Sequence, residues 1–169
     1  MLRGERVQLR PLAEEDVPAL VELLRHPEVA RWWGPHDAER VRGDLLLDEQ
    51  TESLAVELDG ELIGVVLIAE ENEPDYRHAA LDISLRADLL GQGLGREALR
   101  VAIDHLVEER GHHRFTIDPA LANERAIAAY EKVGFRRVGV TRRSERGVDG
   151  RWHDGLLMDL LAEDLPASR

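Results

Sequence analysis

Leu90-Gly91-Gln92-Gly93-Leu94-Gly95 decides the reading of this chain. It lies between a strand candidate over residues 79–85 and a long helix that starts near Gly93 or Leu94. Glycines at such a turn let the backbone approach a ligand closely. A helix N-terminus adds unpaired N–H groups and the positive end of a dipole, which suit an anion such as a pyrophosphate. Spacing argues against two nucleotide-binding motifs. The run continues Gly95-Arg96-Glu97, without the Lys-Ser/Thr ending of a phosphate loop. Its glycines are spaced G-x-G-x-G, not the G-x-G-x-x-G of a dinucleotide fold. A glycine turn that binds nothing is the remaining alternative.

Working outward, a short strand is predicted over residues 7–11 and a helix over 14–24, closed by Pro27. A second helix is predicted over 37–50, capped by Asp37, with Val41, Leu45 and Leu46 on one face. Leu54, Val56 and Leu58 alternate with polar or small residues up to Asp59-Gly60, a tight-hairpin signature. A buried strand over 62–69 follows, and residues 70–75 read as a solvated loop. The long helix carries Ala98, Leu99, Ala102, Ile103, Leu106 and Val107 on its apolar face, and Gly111 ends it. A strand over 114–118, a helix over 123–133 ended by Gly134, and strands near 135–142 and 152–160 complete the chain. The order is β-α-α-β-β-β-α-β-α-β-β: one mixed α/β domain, mostly antiparallel, with about 6–7 strands and about 4 helices.

The 169 residues suit a single domain over 1–169. There are 34 Asp+Glu against 22 Lys+Arg, a net charge of −12, which argues against a nucleic-acid partner and favours cationic ones. No cysteine is present, so disulfides, thiolate metal sites and a cysteine nucleophile are excluded. The seven histidines show no metal-ligand spacing, so no metal is expected; His112-His113 is expected at the surface. The N-terminal MLRGERVQLRPL lacks the apolar core of a signal peptide, and no run is long enough to span a membrane. The expected setting is cytoplasmic, as a monomer or homodimer.

Residues 90–95 resemble the pyrophosphate loop of the GNAT superfamily of acyl-CoA-dependent N-acetyltransferases. Gly93 and Gly95 match the two glycines of its Arg/Gln-x-x-Gly-x-Gly/Ala pattern, while Leu90 replaces the first residue and removes one side-chain contact. The stretch from Asp118 through Asn123 and Tyr130 to Phe135 resembles the strand-helix-Gly-Phe segment of the same superfamily. Asn123 and Tyr130 lie two helical turns apart on one face, ~10 Å along the axis. The resemblance implies acetyl-CoA as cosubstrate. It would be held by Leu90, Gly91, Gln92, Gly93, Leu94, Gly95, Arg96 and Asn123, with the N–H groups of Ile83 and Leu85 on the thioester oxygen. It also implies Tyr130 as the general acid for the departing thiolate. An N-cap for Asn123 and core packing for Tyr130 are the structural alternatives.

Within that superfamily the chain looks like the aminoglycoside 6′-N-acetyltransferases. Val29-Ala30-Arg31-Trp32-Trp33-Gly34 resembles their acceptor-site loop, Asp118-Pro119 their Asp-Pro segment, and Asp82 their acidic position beside the thioester. The resemblance implies Asp82 and Tyr130 as catalytic, and Trp32, Trp33, Asp82, Asp118 and Asp154 as acceptor-binding. A carboxylate can bind an ammonium and then accept its proton, and a tryptophan face can hold a sugar ring or a cation. A hydrophobic lid for the tryptophans, a strand surface for Asp82 and a turn for Asp118 stay open. The implied reaction is direct acetyl transfer to a primary amine of an aminoglycoside-like polycation. Other amines (a protein N-terminus, a polyamine, a siderophore precursor) and a silent acyl-CoA sensor are the alternatives.

Overall fold

The computed structural model describes residues 1–165; residues 166–169 of the expected domain lie outside the described residues. Its centre is one eight-stranded sheet in the order β1-β2-β3-β4-β5-β6-β8-β7. The strands are β1 (Leu2–Arg3), β2 (Val7–Pro11), β3 (Glu52–Leu58), β4 (Glu61–Glu71), β5 (His78–Leu85), β6 (Arg114–Ile117), β7 (Arg136–Arg146) and β8 (Trp152–Leu161). All neighbours pair antiparallel except β5 and β6. The helices are α1 (Val17–Arg25), α2 (Pro27–Trp33), α3 (Ala38–Val41), α4 (Leu94–Glu108) and α5 (Glu124–Val133). The class and order match the expectation, with β1 and a further helix added. No helix among the described residues is long and apolar enough to cross a membrane.

The period-two pattern of the central strands sorts their side chains to two faces. Leu54, Val56, Val66 and Ile68 join Leu99, Ile103 and Leu106 of α4 and Ile127 and Tyr130 of α5 in one core. Ala55 and Val65 point the other way, toward Leu20, Leu24, Val29 and Val41 of α1 to α3. At the hairpin between β3 and β4, Asp59 and Gly60 take φ of 52° and 82°, as the tight turn requires. Gly64 sits where β4 crosses the end of β5. A Cβ there would lie 2.3 Å from the Ser84 carbonyl oxygen, so only glycine fits.

Four expectations need correction. Pro27 does follow the end of α1, with His26 at ψ 130° before it, but it also opens a helix that was not expected, α2, where its missing N–H is no loss and the His26 ring accepts the Glu28 N–H at 3.3 Å. The helix begun at Asp37 stops at Leu46, because after α3 the chain widens into a π turn whose Leu47 N–H reaches Arg42 O at 2.8 Å. Residues 70 and 71 are strand, not loop, since Glu70 and Glu71 pair with Ala79 and His78. His112 is buried, 1% exposed, with Nε2 2.5 Å from Glu70, whose other oxygen meets Arg110. The two misread positions form one contact that ties the α4–β6 turn to β4.

Candidate active site

β5 and β6 pair only at Ala79–Phe115 and Ala80–Thr116, although β5 runs on to Leu85. Past Ala80 the two strands splay, while β5 keeps its ladder with β4 as far as Leu85. The gap opens into a cleft of about 550 Å³ walled by α2, the end of β5, the glycine turn and α5. Arg86 N–H donates to Ile63 O on the β4 side at 2.8 Å. Alternation then turns the N–H groups of Leu85 and Ile83 toward the cleft. Asp82 Oδ1 accepts the Ile83 N–H at 2.8 Å.

The glycine turn forms one end of the cleft. Gly91 and Gly93 both have φ of 80°, a region that favours glycine, and Gly93 is the residue before α4. No side chain caps α4, so its first N–H groups, from Leu94 to Arg96, are left for a ligand. A Cβ on Gly91 would meet nothing within 4 Å, while around Gly93 the guanidinium groups of Arg6 and Arg96 stand 3.5 and 3.9 Å from that position. Leu90 to Arg96 all line the cleft. Glu97 fixes the helix by accepting N–H groups of Arg6 (2.5 Å) and Val7 (3.0 Å) at the start of β2. Open space, oriented N–H donors, a helix dipole and Arg96 together fit a diphosphate, the group that CoA presents, while Arg6 is held by Glu97 at 2.9 Å.

The other end is acidic. Asp82, Tyr130 and Glu145 line it. Asp82 reaches solvent through the cleft mouth, yet protein surrounds it. That enclosure, with the charges of Asp118 and Glu145, pushes its carboxyl up to about 7 against the Ile83 N–H, which pulls it down. Tyr130 is 8% exposed, and no hydrogen bond reaches its hydroxyl among the described residues. Burial, then Asp82 and Asp118, raise its pKa well above the ordinary tyrosine value. Asp118 and Glu145 are also raised, each mainly by burial, and Glu145 further by Asp118. Such a group of carboxylates around a protonated phenol can bind ammonium ions, take a proton at Asp82 and give one from Tyr130.

The remaining expected residues divide. Asn123 lines the cleft and also caps α5, accepting the Ala126 N–H at 3.2 Å, so both readings of it hold geometrically. Trp32 and Trp33 line the cleft from α2, a helix rather than a loop. Arg31 lies over the Trp32 ring, 4.6 Å from its centre, and Trp33 packs onto the α1–α3 core. Asp118 is exposed and does not line the cleft, while Pro119 beside it does. Asp154 does not line the cleft; its Oδ1 accepts the Arg143 N–H at 2.8 Å. Glu145 and Glu28 line the cleft and were not singled out in the sequence. Glu28 faces Arg125 of α5 at 4.0 Å across the mouth. Neither sits in a local motif, so only the packing of distant elements reveals it.

Residues 6–136 match the model of the acetyltransferase (GNAT) domain family. The aminoglycoside N(6')-acetyltransferase type 1 of Klebsiella pneumoniae is 32% identical over 156 residues, covering 80% of this chain and 77% of that one. The spermidine N(1)-acetyltransferase of Escherichia coli K12 is 29% identical over 164 residues, covering 94% and 87%. The crystal structure of aminoglycoside acetyltransferase AAC(6')-Ib with coenzyme A and kanamycin superposes with a TM-score of 0.77 at 27% identity, covering 94% of this chain and 96% of that one.

Proposed function

We infer the reaction from a plain premise: this chain belongs to the GNAT acetyltransferase family and is an acetyl-CoA-dependent N-acetyltransferase. We propose that it acts as a single domain over residues 1–169, in the cytoplasm, on a primary amine of an aminoglycoside-like polycation. The observation that carries the acceptor class is the cluster of carboxylates at the end of the cleft away from the glycine turn. The aminoglycoside relatives support that choice. The spermidine relative, similar over more of the chain, supports a polyamine as the second reading.

Acetyl-CoA, when bound, supplies the acetyl group as a thioester. The α4 N-terminus with Arg96 holds its diphosphate, and Asn123 lies along the path of its arm. Leu85 N–H, and Ile83 N–H once Asp82 releases it, orient the thioester oxygen. Asp82, poised near neutrality, binds the acceptor ammonium and takes its proton, directly or through water, so that the amine can attack. Tyr130 then delivers its hydroxyl proton to the departing sulfur, and the proton shed by the attacking nitrogen as the amide forms restores the phenol. An ammonium at Asp82 offsets part of the field of Asp82 and Asp118 that keeps this phenol protonated, and so eases the proton's release. The described residues hold no group of three or more histidines and carboxylates able to bind a metal ion.

Free-thiol release from acetyl-CoA, measured with kanamycin, spermidine and N-terminal peptides as acceptors, tests the reading. Turnover of kanamycin supports it, and turnover of spermidine alone selects the second reading. Turnover of peptides alone overturns both.

A further inference from the structure

The β7–β8 hairpin contains an irregularity that the reaction above does not explain. Thr141 pairs with Gly155 and Glu145 pairs with His153. Arg142, Arg143 and Ser144 therefore face Asp154 alone, so β7 bulges by two residues. Arg143 has φ of 47°, a left-handed conformation that residues other than glycine rarely adopt. Its N–H is held by Asp154 Oδ1 at 2.8 Å. The hydroxyls of Thr141 and Ser144 bond at 3.0 Å over Gly155, where a Cβ would sit 2.8 and 2.9 Å from them. Behind the bulge, Leu121 N–H donates to Asp154 O and Leu156 N–H to Pro119 O, both at 2.9 Å. The bulge is thus locked to the loop that follows Asp118.

Bulges re-aim side chains, and this one ends at Glu145, which lines the cleft with Asp82 and Tyr130. The hairpin carries six arginines between residues 136 and 151. Yet no basic side chain lies within ion-pair distance of Glu145 among the described residues. Arg136 pairs with Asp164, Arg137 with Glu131, and Arg146 donates to Gly150 O. Tyr130, 8% exposed as a residue, lines the same cleft, and no hydrogen bond reaches its hydroxyl among the described residues.

We propose that Glu145 is a second cation-binding carboxylate of the acceptor site, selecting acceptors that carry two or more ammonium groups, and that Asp154 positions it by holding the bulge. The proposal rests on the polycation reading above. One ammonium sits at Asp82 and reacts; a second sits at Glu145 and does not. Asp154, expected from the sequence to touch the acceptor, acts instead through the Arg143 N–H.

The test compares the whole protein with Glu145→Gln, Asp154→Ala and the double variant. Acceptors are kanamycin, spermidine and singly charged butylamine; readouts are KM and kcat, and binding calorimetry with CoA present. Glu145→Gln should raise the KM and Kd for the polycations ~10-fold, the scale of one hydrogen-bonded charge, with kcat and the acetyl-CoA KM within about twofold. Butylamine binding should not change. Asp154→Ala, which removes the acceptor of the Arg143 N–H, should move the polycation KM in the same direction, and adding it to Glu145→Gln should change little more. Equal losses for butylamine and the polycations overturn the proposal, as does an unchanged polycation KM in Glu145→Gln. So does independent, additive damage from Asp154→Ala, which marks a merely structural residue. A wild-type protein that binds and acetylates no polycation overturns the acceptor reading and this proposal together. Turnover of polycations with Glu145 indifferent overturns this proposal alone.

Discussion

Asp82 is the residue through which pH enters. A carboxyl raised to about 7 is protonated below that value and competent as a base above it. The acceptor kcat/KM should therefore climb about tenfold per pH unit below ~7 and level off above, the behaviour of one essential base. Asp82→Asn should remove this limb and lower kcat by ~10²–10⁴-fold. Stability runs the other way. Because the folded value lies above the unfolded one, folding favours the protonated form, and stability is lost as pH rises from ~4 through about 7. Solvent in the cleft screens much of this, leaving on the order of 1 kcal/mol, or ~2–4 °C. Asp82→Asn should thus melt higher than wild type at pH 8 and equally at pH 4; a lower melting point at pH 8 contradicts the raised value. Tyr130→Phe should cut kcat by ~10²-fold or more while leaving the acetyl-CoA KM in place. Unaltered kcat returns Tyr130 to packing against Phe135, its ring neighbour at 6.3 Å.

Among the elements, α4 couples cofactor and fold. Its first turn meets the cleft, while Glu97, one turn in, is bonded to β2. Gly93→Ala forces a Cβ onto a residue at φ 80° between two arginine side chains. It should raise the acetyl-CoA KM ~10-fold, with the acceptor KM unmoved; an effect on the acceptor alone would contradict the placement of the turn. What sequence made legible was local. Asp59-Gly60 writes its own turn, Gly93 and Gly134 mark helix ends, and Asn123 caps α5 through a residue three positions on. What it hid was non-local. Pro27 reads equally as a stop or a start until His26 supplies the cap. Glu70 looks solvated until β4 and β5 lengthen to bring His112 beneath it. Asp154 and Glu145 exchange roles because a two-residue slip between paired strands leaves no local signature. The splay of β5 from β6, which makes the cleft, follows from pairing that ends at Ala80 rather than from any motif.

At the scale of the whole molecule, the net charge of −12 is not evenly spent. The cleft is polar along its length, with Arg96 and the α4 N-terminus at one end and Asp82 and Glu145 at the other. Two oppositely charged substrates therefore enter with opposed long-range costs. The overall field attracts a polycation and repels polyanionic acetyl-CoA, which relies on short-range donors and on Arg96 near Gly93. Added salt should weaken the attraction and relieve the repulsion at once, since the Debye length shrinks from ~30 Å at 0.01 M to below ~8 Å beyond physiological strength. For kanamycin, kcat/KM should fall ~10-fold between ~0.01 and ~0.3 M salt. For butylamine the fall should be far smaller, and for acetyl-CoA kcat/KM should hold within about twofold, its lost local contacts offset by reduced repulsion. Glu145→Gln should flatten the kanamycin slope, because it removes one of the charges nearest the bound cation. Equal slopes for kanamycin and butylamine would mean that the acidic surface serves solubility alone and that the cleft reads only the one ammonium that reacts.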